Sequence, residues 1–160
     1  MNHLWAPWRS QYLTGEGKPA PDLFSQIAQS TDDETNLVLF RSKASWSLLN
    51  RFPYNTGHLL VLPYRAVTVP EELSDDETLD FWATVHRMTD ALRKALQPHG
   101  FNLGMNLGAD AGAGVPAHLH LHVVPRWQGD SNFMTVTANT RVHPHDLPSV
   151  YKRIKTVLSA

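Results

Sequence analysis

His118-Leu119-His120-Leu121-His122-Val123-Val124 alternates a polar with an apolar side chain and ends on two β-branched residues. Alternation with period two marks a half-buried strand, whose successive side chains point to opposite faces. The pattern predicts a strand over His118 to Val124, closed by Pro125. Three imidazoles then share one face, and Leu119, Leu121 and Val123 enter a core on the other. At about 3.3 Å of rise per residue, successive histidines stand roughly 6.5 Å apart. Three rings at that spacing can surround one tetrahedral group.

The elements around this strand suggest its partners. Upstream, Gly108-Ala-Asp-Ala-Gly112-Ala-Gly114-Val-Pro116 is a glycine-rich loop, and Phe101 to Leu107 reads as a strand. Before that, Ser74-Asp-Asp-Glu77 carries a capping-box signature. Leu79, Trp82, Val85, Met88, Leu92 and Leu96 then recur at helical spacing, and Pro98 and Gly100 stop the helix. Asn36 to Arg41, Ser45 to Asn50 and His58 to Leu62 read as strands. Arg51 to Gly57 suits a hairpin connection. Asp22 to Ser30 suggests a short helix, Thr14 to Pro21 and Thr31 to Glu34 are loops, and Asp146 to Ser159 is a helix with Leu147, Val150, Ile154 and Leu158 on one face. Runs of strands with one long helix interposed predict an α+β domain over 1–160 with an antiparallel sheet.

Composition limits the chemistry. With 14 Lys plus Arg against 15 Asp plus Glu, the net charge is −1. That argues against broad nucleic-acid binding, which needs a basic face. Absence of cysteine excludes disulfides, thiolate catalysis and Cys-containing zinc sites. Met1 to Arg9 lacks the apolar stretch of a signal peptide, and no apolar run reaches the roughly 20 residues of a membrane span. The expected location is the cytoplasm.

Three readings of the histidines remain open from the residues alone. They can be satisfied structural side chains. A His-x-His pair can bind zinc with a third ligand. A neutral imidazole can also attack phosphorus while a neighbouring ring binds phosphate oxygens or handles a proton, since the ordinary histidine pKa is about 6.5. The preceding glycines would let backbone N–H groups approach an anion.

The segment Asn50-Arg-Phe-Pro53-Tyr-Asn-Thr-Gly57-His58-Leu-Leu-Val61-Leu-Pro63-Tyr-Arg65-Ala-Val67 resembles the first conserved block of the histidine-triad family, and His118-Leu-His120-Leu-His122-Val-Val124 resembles its naming motif. The resemblance spans roughly 36–136. Trp5-Ala-Pro7-Trp8-Arg9, Pro125-Arg126-Trp127 and Gly129-Asp-Ser-Asn132-Phe133 resemble its bacterial diadenosine tetraphosphate phosphorylase branch. The resemblance implies that His120 is the nucleophile toward the α-phosphorus, flanked by His118 and His122 and supported by His58. It implies Asn50 as a ribose contact and Asn106 as a phosphate contact. Each has a simpler reading, as turn initiation and as an edge hydrogen bond. Gly112 and Gly114 would present phosphate-binding N–H groups. Trp127 and Phe133 would line a base pocket, an interface or a core. Arg9 would meet phosphate or form an ion pair. His3, His86, His99, His143 and His145 have no motif context.

Ala113, Gly114 and Val115 stand where hydrolase-branch members often carry Gln and Ser or Thr. The resemblance further implies adenine nucleotides or dinucleoside polyphosphates as ligands, inorganic phosphate or water as acceptor, and a homodimer that joins two sheets. No tightly bound cofactor or resident metal is implied; magnesium could accompany a polyphosphate. Phosphorolysis of diadenosine tetraphosphate is the leading expectation. A hydrolase of dinucleoside polyphosphates or nucleotide phosphoramidates, and a non-catalytic nucleotide-binding module, are the alternatives.

Overall fold

A computed structural model of the chain describes residues 20–130 and 145–160. The expectations for Trp5 to Arg9, most of the Thr14 to Pro21 loop, Asn132, Phe133, His3 and His143 lie outside the described residues. Five strands, β1 (Val38–Arg41), β2 (Ser45–Leu49), β3 (Leu59–Pro63), β4 (Gly100–Met105) and β5 (Leu121–Arg126), form one sheet in the order β1-β2-β3-β5-β4. Every neighbouring pair is antiparallel. Helix α1 (Leu23–Gln29) precedes the sheet, α2 (Asp75–Leu96) joins β3 to β4, and α3 (Leu147–Ser159) follows β5. The α+β class, the antiparallel sheet and the two principal helices are as the sequence predicts.

Period-two alternation divides the core into two layers. Leu39, Leu49, Leu59, Val61, Leu121 and Val123 pack against Phe81, Val85, Met88 and Leu92 of α2 and Val150 and Ile154 of α3. Val38, Trp46, Leu48, Leu60 and Leu62 form a second cluster with Phe24 and Ile27 of α1 and with Val115 of the glycine loop. Strands β2 and β3 are consequently buried at every residue.

The long helix begins as its capping box requires. Ser74 Oγ accepts from Glu77 N, and Glu77 reaches back to Ser74 N. Its inward face differs from the expected stripe: Leu79 is 71% exposed and Trp82 43%, whereas Phe81, Thr84, Ala91 and Ala95 are buried. The cause is a polar anchor. The Asp80 carboxylate accepts from Ser42 Oγ at 2.6 Å, Ala44 N at 3.0 Å and Ser45 Oγ at 2.6 Å. Fixing Asp80 toward the β1–β2 turn rotates Phe81 onto the sheet. At about 100° per residue, Leu79 then lies nearly opposite Phe81.

The histidine strand also differs from its expected bounds. It begins at Leu121, so His118 and His120 lie in the irregular segment before it. Pairing with β3 ends at Val61↔Leu121. Continuing that register would set Pro63 opposite Leu119, where proline has no N–H to give. Leu119 N instead donates to Val67 O at 2.7 Å. At the other end Pro125 belongs to the strand and pairs with Phe101. Its carbonyl faces the β3 side, where it accepts from Asn55 Nδ2 at 3.1 Å. No strand is paired there beyond Leu59↔Val123, so the missing proline donor breaks no ladder bond.

Candidate active site

The hairpin between β2 and β3 positions His58. Asn50 N donates to His58 O at 2.9 Å, His58 N donates to Asn55 O at 3.1 Å, and Asn50 Oδ1 accepts from Phe52 N at 2.9 Å. Gly57 closes the turn with φ +75°, and a Cβ built there would come 2.5 Å from Leu96 Cδ1. Both the left-handed backbone and the close approach of α2 call for glycine.

Hydrogen-bond partners fix the tautomers of the buried rings. Tyr54 N–H, which can only donate, points at His58 Nδ1 over 3.0 Å. Neutral His58 therefore carries its proton on Nε2 and donates it to His122 Nδ1, 2.9 Å away. Neutral His122 then carries its proton on Nε2. A carbonyl can only accept, so His120 Nδ1, 2.8 Å from His118 O, bears hydrogen and leaves the Nε2 lone pair available. By the same logic His118 Nε2 donates to Pro63 O at 2.8 Å.

The rings form a compact group. The centroids of His120 and His122 are 5.1 Å apart, as are those of His58 and His122. Phe24 covers the other side, 5.4 Å from His120 and 5.7 Å from His118. Burial disfavours protonation of His58, His118 and His120. It pushes His58 down to about 3, with the neighbouring His122 and His120 charges adding to the effect. Burial likewise lowers His118 and His120, partly opposed by their bonds to the carbonyls of Pro63 and His118. At neutral pH these three rings are uncharged.

Asn50 approaches the group through Nδ2, 3.4 Å from His58 Nδ1, while its Oδ1 initiates the turn. Asn106 leaves β4 and donates from Nδ2 to Gly112 O at 3.5 Å, tying the strand to the glycine loop. Gly112 has φ +89°, and Val115 anchors the loop in the second core cluster just past half-buried Gly114. Trp127 is not brought to the histidines in this chain. It packs on the α2 side of the sheet, the core placement that an aromatic just past a strand allows.

Phe24 and Tyr54 join the site without a motif of their own in the sequence. Phe24 was legible as the partner of Ile27, one helical turn apart on α1. Tyr54 sits four residues before His58 in the quoted block, a spacing that a tight hairpin converts into a backbone contact. Among the described residues, no group of three or more His, Cys, Asp or Glu is arranged to hold a metal ion, and no helix is long and apolar enough to cross a membrane.

A carbonyl-oriented imidazole beside a histidine pair of fixed tautomer, carried on an antiparallel α+β frame, defines a class of enzyme with a histidine active site. Residues 31–129 match the model of the HIT domain, and the chain belongs to that histidine-triad family as one of its enzymes. It is 39% identical over 165 residues to the AP-4-A phosphorylase of Mycobacterium tuberculosis, covering 98% of this chain and 84% of that protein. It is 36% identical over 93 residues to the asymmetrical bis(5'-nucleosyl)-tetraphosphatase of Schizosaccharomyces pombe, covering 58% of this chain and 50% of that protein. Among solved structures, a zinc-bound histidine triad family protein from Mycobacterium smegmatis superposes with TM-score 0.68 at 25% identity, covering 86% of this chain and 92% of that one.

Proposed function

We propose that the protein cleaves dinucleoside polyphosphates, diadenosine tetraphosphate among them, through a nucleotidyl intermediate on His120. The observation that carries this reading is the 2.8 Å contact from His120 Nδ1 to His118 O. It holds the proton on Nδ1, so Nε2 presents its lone pair to phosphorus. As Nε2 forms the P–N bond, the P–O bond to the bridging oxygen breaks. The nucleoside polyphosphate departs with that electron pair. Positive charge then develops on the His120 ring, and the His118 carbonyl dipole meets it through the Nδ1–H bond. His122 Nε2–H is set to donate to a phosphate oxygen. Acting through its hydrogen bond, His58 holds His122 in that tautomer.

An acceptor then takes the nucleotide from His120. Hydrolysis has the support of the site's electrostatics: rings held neutral by burial offer N–H groups but no charge to a phosphate dianion. Water then yields AMP and ATP from diadenosine tetraphosphate. Phosphorolysis, the leading expectation from sequence, is favoured by the match with the mycobacterial phosphorylase across nearly the whole chain, and yields ADP and ATP. Product analysis with and without inorganic phosphate separates them. ADP that appears only with phosphate selects phosphorolysis, AMP in both conditions selects hydrolysis, and nucleotide binding without turnover overturns the enzymatic reading. Activity that vanishes with a chelator and returns only with zinc would replace the histidine nucleophile by a metal site. Magnesium, in our reading, arrives with the polyphosphate.

A homodimer is part of the same proposal. β4 is an edge strand with Leu103 exposed, and an unpaired edge is a template for another strand. Sedimentation of the intact chain tests it, with a monomer at micromolar concentration as the contrary result.

A further inference from the structure

Tyr54 meets the histidine pair twice. Its backbone N–H fixes the tautomer of His58, and its ring lies over both imidazoles. The ring centroid is 4.8 Å from that of His58 and 5.8 Å from that of His122, each with an interplanar angle of 26°. One half-buried aromatic face therefore spans the two rings that share the 2.9 Å hydrogen bond.

Proton counting makes this arrangement consequential. With Tyr54 N–H on His58 Nδ1, three ring nitrogens remain in the pair, and two of them face each other. The facing pair can hold only one proton between them, so two protons fill the pair and keep it neutral. A third proton must break either the Tyr54 bond or the bond between the rings. Water entering beside the pair would solvate such an ion and lower that cost. The stacked ring occupies that space.

We propose that Tyr54 is a positioning residue whose ring covers the His58–His122 hydrogen bond, excludes water from it and keeps His122 Nε2–H directed at the substrate phosphate. The catalytic part of this statement rests on the function proposed above; the part about the pair does not. The ring acts through His58 and His122 and has no assigned contact with the reacting atoms. Among the described residues, the charges that bear on His58 are those of His122 and His120.

The experiment compares wild type with Y54F, Y54L and Y54A, reading imidazole nitrogen shifts against pH alongside steady-state kinetics with diadenosine tetraphosphate. Y54F keeps the aromatic face and should keep the His58 titration and kcat within about threefold of wild type. Y54L keeps bulk near the hairpin without a flat ring, and Y54A opens the pair to water. In both, the His58 midpoint should rise by about one pH unit or more, and kcat should fall about tenfold with KM changed less than about threefold. Wild-type titration and kcat in folded Y54L and Y54A would overturn the proposal. So would Y54F failing as badly as Y54A, since the hydroxyl would then carry the effect. Failure of wild type to turn over any dinucleoside polyphosphate overturns the proposed function instead, while the titration still decides the role of Tyr54.

Discussion

His120 Nδ1 lies 2.8 Å from the backbone oxygen of His118, two residues earlier in the same segment. The bond arises because the chain has not yet entered β5 at these residues. In a regular strand that carbonyl would point along the sheet toward a neighbouring strand. Here it turns onto its own segment's imidazole and orients the His120 ring without a carboxylate.

The pH dependence of turnover follows from the burial of that ring, which outweighs the opposing effect of the bond. His120 must be neutral to attack, and burial holds its pKa below the ordinary 6.5. Activity is therefore present above the lowered pKa and is lost as pH falls through it. The acid limb of kcat/KM should lie below pH 6.5, and a profile measured with diadenosine tetraphosphate checks this. A limb at or above the ordinary histidine value would contradict a ring held neutral by burial. Replacing His120 with Asn should reduce turnover by about four orders of magnitude or more, as loss of a nucleophile does, while nucleotide binding persists.

Stability should follow His58 instead. His58 is buried and its pKa falls from 6.5 to about 3. Below pH 6.5 the unfolded chain binds a proton at this residue that the native state refuses. Native stability contributed by neutral His58 is thus complete above pH 6.5 and falls as the pH drops toward about 3. Urea midpoints measured from pH 8 to pH 4 should decline across that window. H58Q should be less stable at pH 8 but decline less steeply, because the titrating group is gone. Parallel curves for the two proteins would sink the assignment.

Gly57 offers a test of how tightly the hairpin meets α2. Its φ of +75° and the 2.5 Å approach of a built Cβ to Leu96 Cδ1 make two separate costs for Gly57→Ala. The left-handed backbone alone costs about 1–2 kcal/mol for an L-residue, and moving Leu96 adds to it. Thermal unfolding should show a clear fall in Tm. Since Asn55 and His58 flank this turn, the variant should also lose activity at temperatures where it is still folded.

How far the sequence carries depends on whether a signal is local. The capping box at Ser74 and Glu77, the hairpin after Asn50 and the alternation of Leu121 and Val123 are decided by neighbours in the chain. They were legible without a fold. The inward face of α2 was not, because Asp80 is oriented by Ser42 and Ser45 from another element. The start of β5 was not, because it depends on Pro63 standing opposite Leu119. In the site, alternation was enough to gather His118, His120 and His122 on one side. It could not reveal that His118 spends its ring on Pro63 O and its carbonyl on His120, nor that Phe24 closes over both rings.

Phe24 reaches the histidines only if α1 is held down, and Arg41 does that. From β1, its guanidinium donates to Ala28 O at 2.8 Å, Ser30 O at 2.9 Å and Ile27 O at 3.3 Å, and it pairs with Asp33 at 2.8 Å. Ile27 and Ala28 lie in the last turn of α1 and Ser30 caps it. Ile27 O also accepts from Ser30 N at 3.2 Å, whereas the carbonyls of Ala28 and Ser30 lie beyond the helix's own bonds. A cation at a helix C-terminus also suits the macrodipole. Replacing Arg41 with Met keeps much of the apolar stem and removes every donor. We expect a loss of about 1–3 kcal/mol from the unsatisfied groups. More specifically, amide hydrogen exchange should accelerate over Phe24 to Ser30 well before β2 and β3 respond. Nucleotide KM should rise more than kcat falls, because the loosened Phe24 shields the site without touching the proton path through His58 and His122. Uniform acceleration of exchange across the sheet would instead make Arg41 a general stabilising residue, with no particular hold on the helix that covers His120.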